Sequence, residues 1–204
     1  VIDNLDLHDI DELVLTNSSV FGPMFPLEPM FAKMTAADCD FWGATDNYEH
    51  AWHLQSYFLV FKRPVLEDIA FRRFWDSVLP YRDKLQIIRS YEIGMTLHLM
   101  QEGHKARAYV PCASLFPPWP LDLAFKNKRR NSTAYHPVRL LRRQMPFVKA
   151  ELLRDNVVEV PLAPVYRAIE QTGYDTSLIE FDRPPVPHTN VLQRLHNIFA
   201  KPTG

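Results

Sequence analysis

Cysteine is scarce in this sequence, and its scarcity excludes several kinds of protein. Cys39 and Cys112 are the only cysteines in the 204-residue chain, and they are not in a CxxC arrangement. A single pair of this kind neither builds the disulfide framework of a small secreted domain nor ligates a metal ion by itself. This usage fits a reducing compartment, so we predict a cytoplasmic location.

Long apolar runs and an excess of one charge are also lacking. The longest apolar run extends from Tyr57 to Phe61, far short of the roughly 20 residues that a membrane-spanning helix needs. Lysine and arginine total 23 against 24 acidic residues, which argues against a nucleic-acid binder driven by net charge. No signal peptide is predicted. The chain starts with Val1 rather than Met, and we expect it to be part of a larger protein.

Hydrophobic patterning predicts an α/β part followed by a mainly helical part. Strands and helices alternate along the first half, which is typical of an α/β sheet. A proline-rich crossing then leads into predicted helices, and prolines after Arg183 indicate a linker. We therefore predict an α/β domain over residues 1–112, a helical extension over 113–183, and a linker with a terminal helix over 184–204.

An acid stands where the pattern of a predicted helix requires an apolar residue. Glu92 shares a helix face with Ile88, Met95 and Leu99. Burying an unpaired carboxylate costs several kcal/mol. Such an acid is either paired with a cation or backbone amides, or it transfers protons with a raised pKa. Both interpretations stay open.

Other polar clusters follow predicted strands. Residues 17–19 end the first strand, and residues 46–55 precede a near-continuous apolar strand over 54–61. If these strands run parallel, both clusters lie at one rim of the sheet, where the Glu92 helix can reach them. Asp46 by itself is typical of a turn or cap. Buried polar groups such as Gln55, Ser56 and Tyr57 need a ligand or backbone partner.

Two further patterns suggest weaker sites. His50 and His53 have the spacing of two ligands on one helical turn, but no other carboxylate or cysteine at metal spacing supports a zinc site or a metal hydrolase. Basic residues recur in the second half, where they form either a solvated face or a surface for phosphates or an anionic membrane. They are Lys126, Lys128, Arg129, Arg130, Arg139, Arg142 and Arg143.

Five segments, taken in order, carry a family resemblance. They are LTNSSVFGP (15–23), DFWGATD (40–46), HLQSYF (53–58), YEIG (91–94) and MPFVKAELLRDN (145–156). Together they resemble the rhamnan synthesis F family of bacterial polysaccharide glycosyltransferases. The resemblance implies a GT-A-like α/β sheet, and because few residues precede the first motif strand, this chain resembles the acceptor-side half of such an enzyme.

The resemblance also implies substrates and site residues. It implies a nucleotide-sugar donor such as dTDP-L-rhamnose, a lipid-linked glycan acceptor at the inner face of the cell membrane, and no nucleic acid. A divalent cation, Mg²⁺ or Mn²⁺, is implied at an acidic strand end, although Ser18 stands where an Asp is expected. Glu92 and Asp46 are the candidate general bases. The candidate substrate-binding residues are Asn17, Ser18, His53, Gln55, Ser56, Tyr57 and Arg154. The alternative function is a non-catalytic glycan- or partner-binding domain.

Overall fold

The computed structural model describes residue 7 and residues 9–116 and 131–181. At its centre lies a five-stranded sheet with parallel and antiparallel pairs. Its strands are β1 (Glu12–Thr16), β3 (Phe41–Asn47), β4 (His53–Leu54), β5 (Phe58–Lys62) and β6 (Ala106–Val110), while β2 (Val20–Phe21) and β7 (Val148–Lys149) form a separate two-stranded ribbon. The predicted α/β class is confirmed.

Strand directions bring the ends of β1 and β3 to the same rim of the sheet. β5 lies between them and is antiparallel to both, with Val60 opposite Val14 on one side and Trp42 on the other. β1 and β3 therefore run in the same direction. β6 joins β3 in parallel, with Ala108 opposite Gly43. The polar residues after β1 and β3 thus share one rim.

Helices cover both faces of this sheet. The α-helices are α1 (Glu28–Thr35), α2 (Arg63–Leu66), α3 (Ile69–Asp76), α4 (Lys84–Ile87), α5 (Gly94–Gln101), α6 (Ser132–Tyr135), α7 (Pro137–Arg142), α8 (Ala150–Arg154) and α9 (Leu162–Glu170). A π-helical segment, Ile88–Ile93, joins α4 to α5, and 3₁₀ turns occupy Cys112–Leu115 and Thr176–Leu178.

Alternating side chains of β3 supply a core on each face of the sheet. All the residues of β3 are buried. Because successive side chains of a strand point to opposite faces, Phe41 packs with residues of α2, α3 and α5, whereas Trp42 packs with residues of α1 and α7. A third core joins α7, α8 and α9 around Val165 and Ile169 and reaches Met24 beside β2.

Long-range contacts change several predicted elements. The strand predicted over 54–61 is interrupted at Gln55, Ser56 and Tyr57, which separate β4 from β5. Residues of the neighbouring strands stabilise this interruption: Thr45 O accepts from the Gln55 amide, and Tyr57 O accepts from the Thr16 hydroxyl. Apolar spacing predicts one helix over 65–79, but the structure has two there, α2 and α3. The sequence also predicts a helix over 148–154, of which the first two residues form β7 and the rest form α8.

The segment before α1 packs directly on the segment before β7. Gly22 has a φ of +149°, and a Cβ there would lie 2.4 Å from Pro146 O. The amide of Met24 donates to the same carbonyl oxygen at 2.8 Å. Glycine is therefore required at position 22, and this contact fixes β2 beside β7.

Several predictions lie outside the described residues. They concern the basic residues Lys126, Lys128, Arg129 and Arg130, together with the linker and terminal helix over 184–204. The boundaries predicted at 112 and 183 stay predictions. None of the helices in the described ranges is long and apolar enough to cross a membrane.

Candidate functional site

An open cavity of about 520 Å³ lies at the rim where β3 ends. This volume falls within the range of small-molecule sites. Its polar lining residues are called the polar wall and its apolar lining residues the apolar wall, and four charged residues besides Glu49 also line it. The polar wall includes Ser19, Asn47, Glu49, His50, His53, Gln55, Ser56, Asn131 and Thr133; the apolar wall includes Leu85, Ile87, Ile88, Leu152, Val157 and Val158; the charged residues are Lys84, Glu92, Lys149 and Glu151.

Glu92 reaches the cavity from the π-helical segment. Its Oε1 accepts a hydrogen bond from the Ser56 amide at 3.0 Å, and its Oε2 receives no hydrogen bond from the described residues. The π turn is closed by the Gly94 amide, which donates to Arg89 O. Widened turns of this kind often occur at functional sites. The carboxylate is thus half-buried, held on one oxygen by backbone and left available on the other.

His53 presents one defined ring nitrogen to the cavity. Its Nδ1 lies 2.8 Å from the carbonyl oxygen of Ala51. A carbonyl only accepts, so Nδ1 carries the hydrogen and Nε2 of the neutral ring carries a lone pair. The side chain is 1% exposed, yet it lines the cavity. His53 can therefore accept a hydrogen bond from a ligand hydroxyl.

A network of amides and hydroxyls forms the polar wall. The Thr133 hydroxyl lies 3.2 Å from Gln55 Oε1 and 2.9 Å from Asn131 Oδ1. The Glu49 carboxylate accepts from the side-chain amides of Asn131 and Asn47 at 3.0 and 3.2 Å. Such a fixed set of donors and acceptors suits a ligand with many hydroxyl groups.

Lys149 is carried into the cavity by the β2–β7 ribbon. It pairs with Val20, and the amide of the next residue, Ala150, donates to Ser19 O at 2.9 Å. Its Nζ lies 4.9 Å from the centre of the Tyr57 ring. Burial lowers the pKa of Lys149, and the negative charge of Glu92 opposes this shift.

Asp46 is placed behind the cavity rather than in its lining. It is 2% exposed. Its Oδ1 accepts from the Cys112 amide at 2.6 Å, and its Oδ2 accepts from Trp52 Nε1 at 2.8 Å. Burial raises the pKa of Asp46, and these two hydrogen bonds partly offset the rise. Both oxygens are engaged, so the geometry favours a structural role for this acid.

The remaining predicted residues are spread around the cavity. Asn17 and Ser18 are exposed at the end of β1, next to the lining residue Ser19. Tyr57 is buried, with a hydroxyl that has no hydrogen-bond partner among the described residues. Arg154 binds the carboxylate of Asp155 at 2.8 Å and is not among the described lining residues.

Sequence reasoning missed part of this site. It did not select Lys149, although this residue lies inside the quoted segment 145–156. It also did not select Asn131 or Thr133, and it did not select Glu49 individually, although Glu49 lies inside the polar cluster 46–55. Their role depends on the bridge between Asn47 and Asn131, which brings distant segments together.

The residues at the end of β1 do not fit a divalent cation. Mg²⁺ takes carboxylate oxygens in most protein sites, whereas the Asn17 side-chain oxygen here accepts from the Ser19 amide and hydroxyl at 3.0 and 2.6 Å. Within the described ranges, no group of three or more His, Cys, Asp or Glu side chains could hold a metal ion. No chemical step is therefore assigned to a metal here.

Comparison with known proteins identifies the family of the chain. The family described as rhamnan synthesis protein F matches residues 2–191. The chain belongs to the rhamnan synthesis protein F family. Membership connects it to polysaccharide synthesis and confirms the resemblance carried by the five segments.

Curated relatives are longer than this chain. It is 26% identical over 181 residues to virulence protein VirA of Vibrio anguillarum, covering 79% of this chain and 57% of the relative. It is 32% identical over 119 residues to uncharacterized protein y4gN of Sinorhizobium fredii, covering 56% of this chain and 30% of the relative. The chain thus spans about half of VirA and less than a third of y4gN. No solved structure matches, so the GT-A-like topology stays a prediction.

Proposed function

We propose that this chain forms the acceptor-side part of a nucleotide-sugar-dependent glycosyltransferase of cell-surface polysaccharide synthesis. The observation that carries the proposal is the position of Glu92 in the cavity. Its carboxylate is held on one oxygen by the Ser56 amide, and Glu92 lines the same cavity as the amides and hydroxyls of the polar wall. The family connects the chain to polysaccharide synthesis, and a partly buried carboxylate beside such a wall has the chemistry of a general base for a sugar hydroxyl.

The proposed reaction is a single displacement. The acceptor hydroxyl gives its proton to Glu92 Oε2 while its oxygen bonds to the anomeric carbon of the donor sugar. The bond between that carbon and the donor phosphate oxygen breaks, and the nucleoside diphosphate leaves with the electron pair. Attack opposite the leaving group inverts the anomeric centre. We propose L-rhamnose, delivered as dTDP-L-rhamnose, as the transferred sugar.

The polar wall would orient the acceptor. Gln55, Asn131 and Thr133 offer amide and hydroxyl groups at fixed positions, and His53 Nε2 offers an acceptor. Correct orientation supplies part of the rate enhancement because the reacting oxygen is held near the anomeric carbon. The remaining catalytic groups would come from the parts of the longer relatives that this chain does not span.

The apolar wall supports a lipid-linked acceptor. Leu85 and Val157 are 56% and 59% exposed beside the cavity. Exposed apolar side chains next to a polar site are typical of a surface that contacts a lipid or partner. We therefore propose a glycan attached to a lipid carrier as the acceptor, presented at the inner face of the cell membrane.

A non-catalytic glycan-binding domain is the second candidate. The observation that favours it is the end of β1, where Asn17, Ser18 and Ser19 replace the acidic motif that the resemblance predicts. Both candidates bind glycan in the same cavity. Only the first requires the proton acceptor at Glu92.

Gene replacement in the producing bacterium separates the two candidates. The chromosomal copy would be replaced by wild type, Glu92→Gln or Gln55→Ala, and rhamnose in the extracted surface polysaccharide would be measured. We expect Glu92→Gln to abolish the incorporation of rhamnose into the surface polysaccharide although the variant protein is present at its normal level. The isolated variant should still bind an oligosaccharide of that polysaccharide, as measured by saturation-transfer NMR. Normal polysaccharide from Glu92→Gln would support the binding domain instead, and normal polysaccharide from both variants would contradict any role of this cavity.

A further inference from the structure

The cavity contains a half-buried cation, Lys149, that the proposed base chemistry does not use. Lys149 Nζ donates no hydrogen bond to any described residue, and no described carboxylate lies within the 4.0 Å of an ion pair. The nearby acids have other partners: Glu92 accepts from Ser56, and Glu151 lies 3.4 Å from Lys84. An ammonium partly withdrawn from water normally donates to protein groups or to a ligand. Within the described ranges, the Tyr57 ring is the one group in direct contact with the Lys149 ammonium.

We propose that Lys149 binds the diphosphate group of a substrate in this cavity. The ammonium lies in a cavity rather than in solid core, so its unsatisfied hydrogens can reach a ligand oxygen. An anionic phosphate oxygen supplies both the opposite charge and the acceptors that the protein does not provide. The β2–β7 pairing and the Tyr57 ring fix the position of the side chain before a ligand arrives.

The catalytic role of Lys149 rests on the proposed sugar-transfer function. When the bond between the anomeric carbon and the phosphate oxygen breaks, the electron pair moves to that oxygen and negative charge grows there. A protonated Lys149 stabilises this charge by hydrogen bonding and keeps its own proton. A preorganised cation at a leaving diphosphate is an established form of electrostatic stabilisation. Lys149 would then act on the leaving group while Glu92 acts on the acceptor hydroxyl.

Two substrates of such an enzyme carry a diphosphate, the nucleotide sugar and a lipid-linked glycan. The shared chemistry is what Lys149 recognises, and the apolar wall beside it offers a way to tell them apart. A prenyl chain can contact Leu85, Ile87 and Val157, whereas a nucleoside cannot bury an equal apolar area there.

Protein-observed NMR titrations of the full chain test the proposal. Inorganic diphosphate, dTDP and farnesyl diphosphate would be added to wild type, Lys149→Met, Lys149→Arg and the charge control Lys105→Met. Lys105 is a surface lysine paired with Asp38 at 2.8 Å and does not line the cavity. We expect shifts at the amides of Ser56 and Ala150, with affinity reduced roughly 10- to 100-fold by Lys149→Met. Lys149→Arg and Lys105→Met should stay within a few-fold of wild type.

Glu92→Gln should change the affinity for diphosphate in the opposite direction to Lys149→Met. It removes a negative charge that acts on Lys149, so diphosphate should bind more tightly. If Lys149 served only to balance the charge of Glu92, neither variant would change diphosphate affinity. Tighter binding of farnesyl diphosphate supports the lipid-linked source, and tighter binding of dTDP supports the nucleotide source.

The proposal is overturned if diphosphate shifts no cavity amide, or if Lys105→Met weakens binding as much as Lys149→Met. Because Lys149→Met removes a half-buried charge whose pKa is lowered by burial, the variant's melting temperature should equal or exceed that of wild type. Lys149→Gln replaces it if folding fails. The titration includes no transfer step, so its failure would leave the role of Glu92 to be decided separately.

Discussion

Replacing Asp46 by Asn tests whether this buried acid supports the fold. Its two carboxylate oxygens accept from the Cys112 amide and from Trp52 Nε1. Asn keeps the shape, but its single oxygen can accept only one of these hydrogen bonds, and its NH₂ group then faces the other donor. The substitution therefore leaves one buried donor without an acceptor.

The expected cost follows from that lost acceptor. A buried donor without a partner destabilises by about 1–3 kcal/mol, and each kcal/mol lowers the melting temperature by about 2–4 °C in a chain of this size. Glu92→Gln is the matched control, because Gln keeps an oxygen for the Ser56 amide and its side chain is only half-buried. We expect this control to lose less than about 1 kcal/mol.

The pH dependence gives an independent readout. Burial raises the pKa of Asp46 above its ordinary value of 3.8, so the folded state holds this proton more tightly than the unfolded state. The associated stability is full below 3.8 and is lost as pH rises through the folded-state pKa. The difference in unfolding free energy between wild type and Asp46→Asn should therefore shrink as pH rises from 3.8 through the folded-state pKa of Asp46. Urea unfolding and calorimetry would measure both quantities. An Asp46→Asn variant that is as stable as wild type, with the same pH profile, would refute the reasoning.

Further outcomes follow from other contacts. Gly22→Ala should lower the unfolding free energy by more than about 2 kcal/mol because its Cβ meets Pro146 O, whereas Gly103→Ala, which also has a positive φ but open space, should cost less in the same urea titration. Burial lowers the pKa of Lys149 below its ordinary value of 10.5. The unfolding free energy of wild type should therefore increase as pH rises from the folded-state pKa of Lys149 to 10.5, and that of Lys149→Met should show no such increase. Calorimetry of this chain with dTDP-L-rhamnose and Mg²⁺ or Mn²⁺ should show no tight binding; micromolar affinity, about -8 kcal/mol, would contradict dependence on segments beyond this chain.

The sequence predicts those elements whose signals are local. Apolar spacing and nearby prolines or glycines predict strands over 12–16 and 106–110, which are the observed β1 and β6. They also predict a helix opened by Pro26 and another over 163–172; the observed α1 begins two residues after Pro26, and α9 agrees within two residues at each end. The break between β4 and β5 could not be predicted in this way. It depends on Thr45 and Glu92, which satisfy the amides of Gln55 and Ser56 from outside.

The site residues likewise divide into those with a local sequence signal and those placed by long-range contacts. Glu92 can be selected from the sequence because a charge in an apolar helix pattern is a local signal. Trp52 is only six residues from Asp46, but the other partner, Cys112, is 66 residues away. The sequence therefore could not show that both oxygens of Asp46 are engaged, which is what distinguishes a structural acid from a base. Lys149 reaches the cavity only through the pairing of β7 with β2. Register between distant strands of two residues each leaves no periodic signal.

The transfer rate of Glu92→Gln tests the central claim most directly. Each variant should be made in a longer form of the protein that carries out sugar transfer, and Glu92→Gln compared with wild type and Asp46→Asn in the same assay. Melting temperatures would be measured alongside. The account predicts that Glu92→Gln keeps a near-normal melting temperature and loses roughly 10²–10⁴-fold in rate, because the proton acceptor is gone while the hydrogen bond to Ser56 is kept. Near-normal transfer by Glu92→Gln, with a collapse in a well-folded Asp46→Asn, would contradict it and assign the base to Asp46.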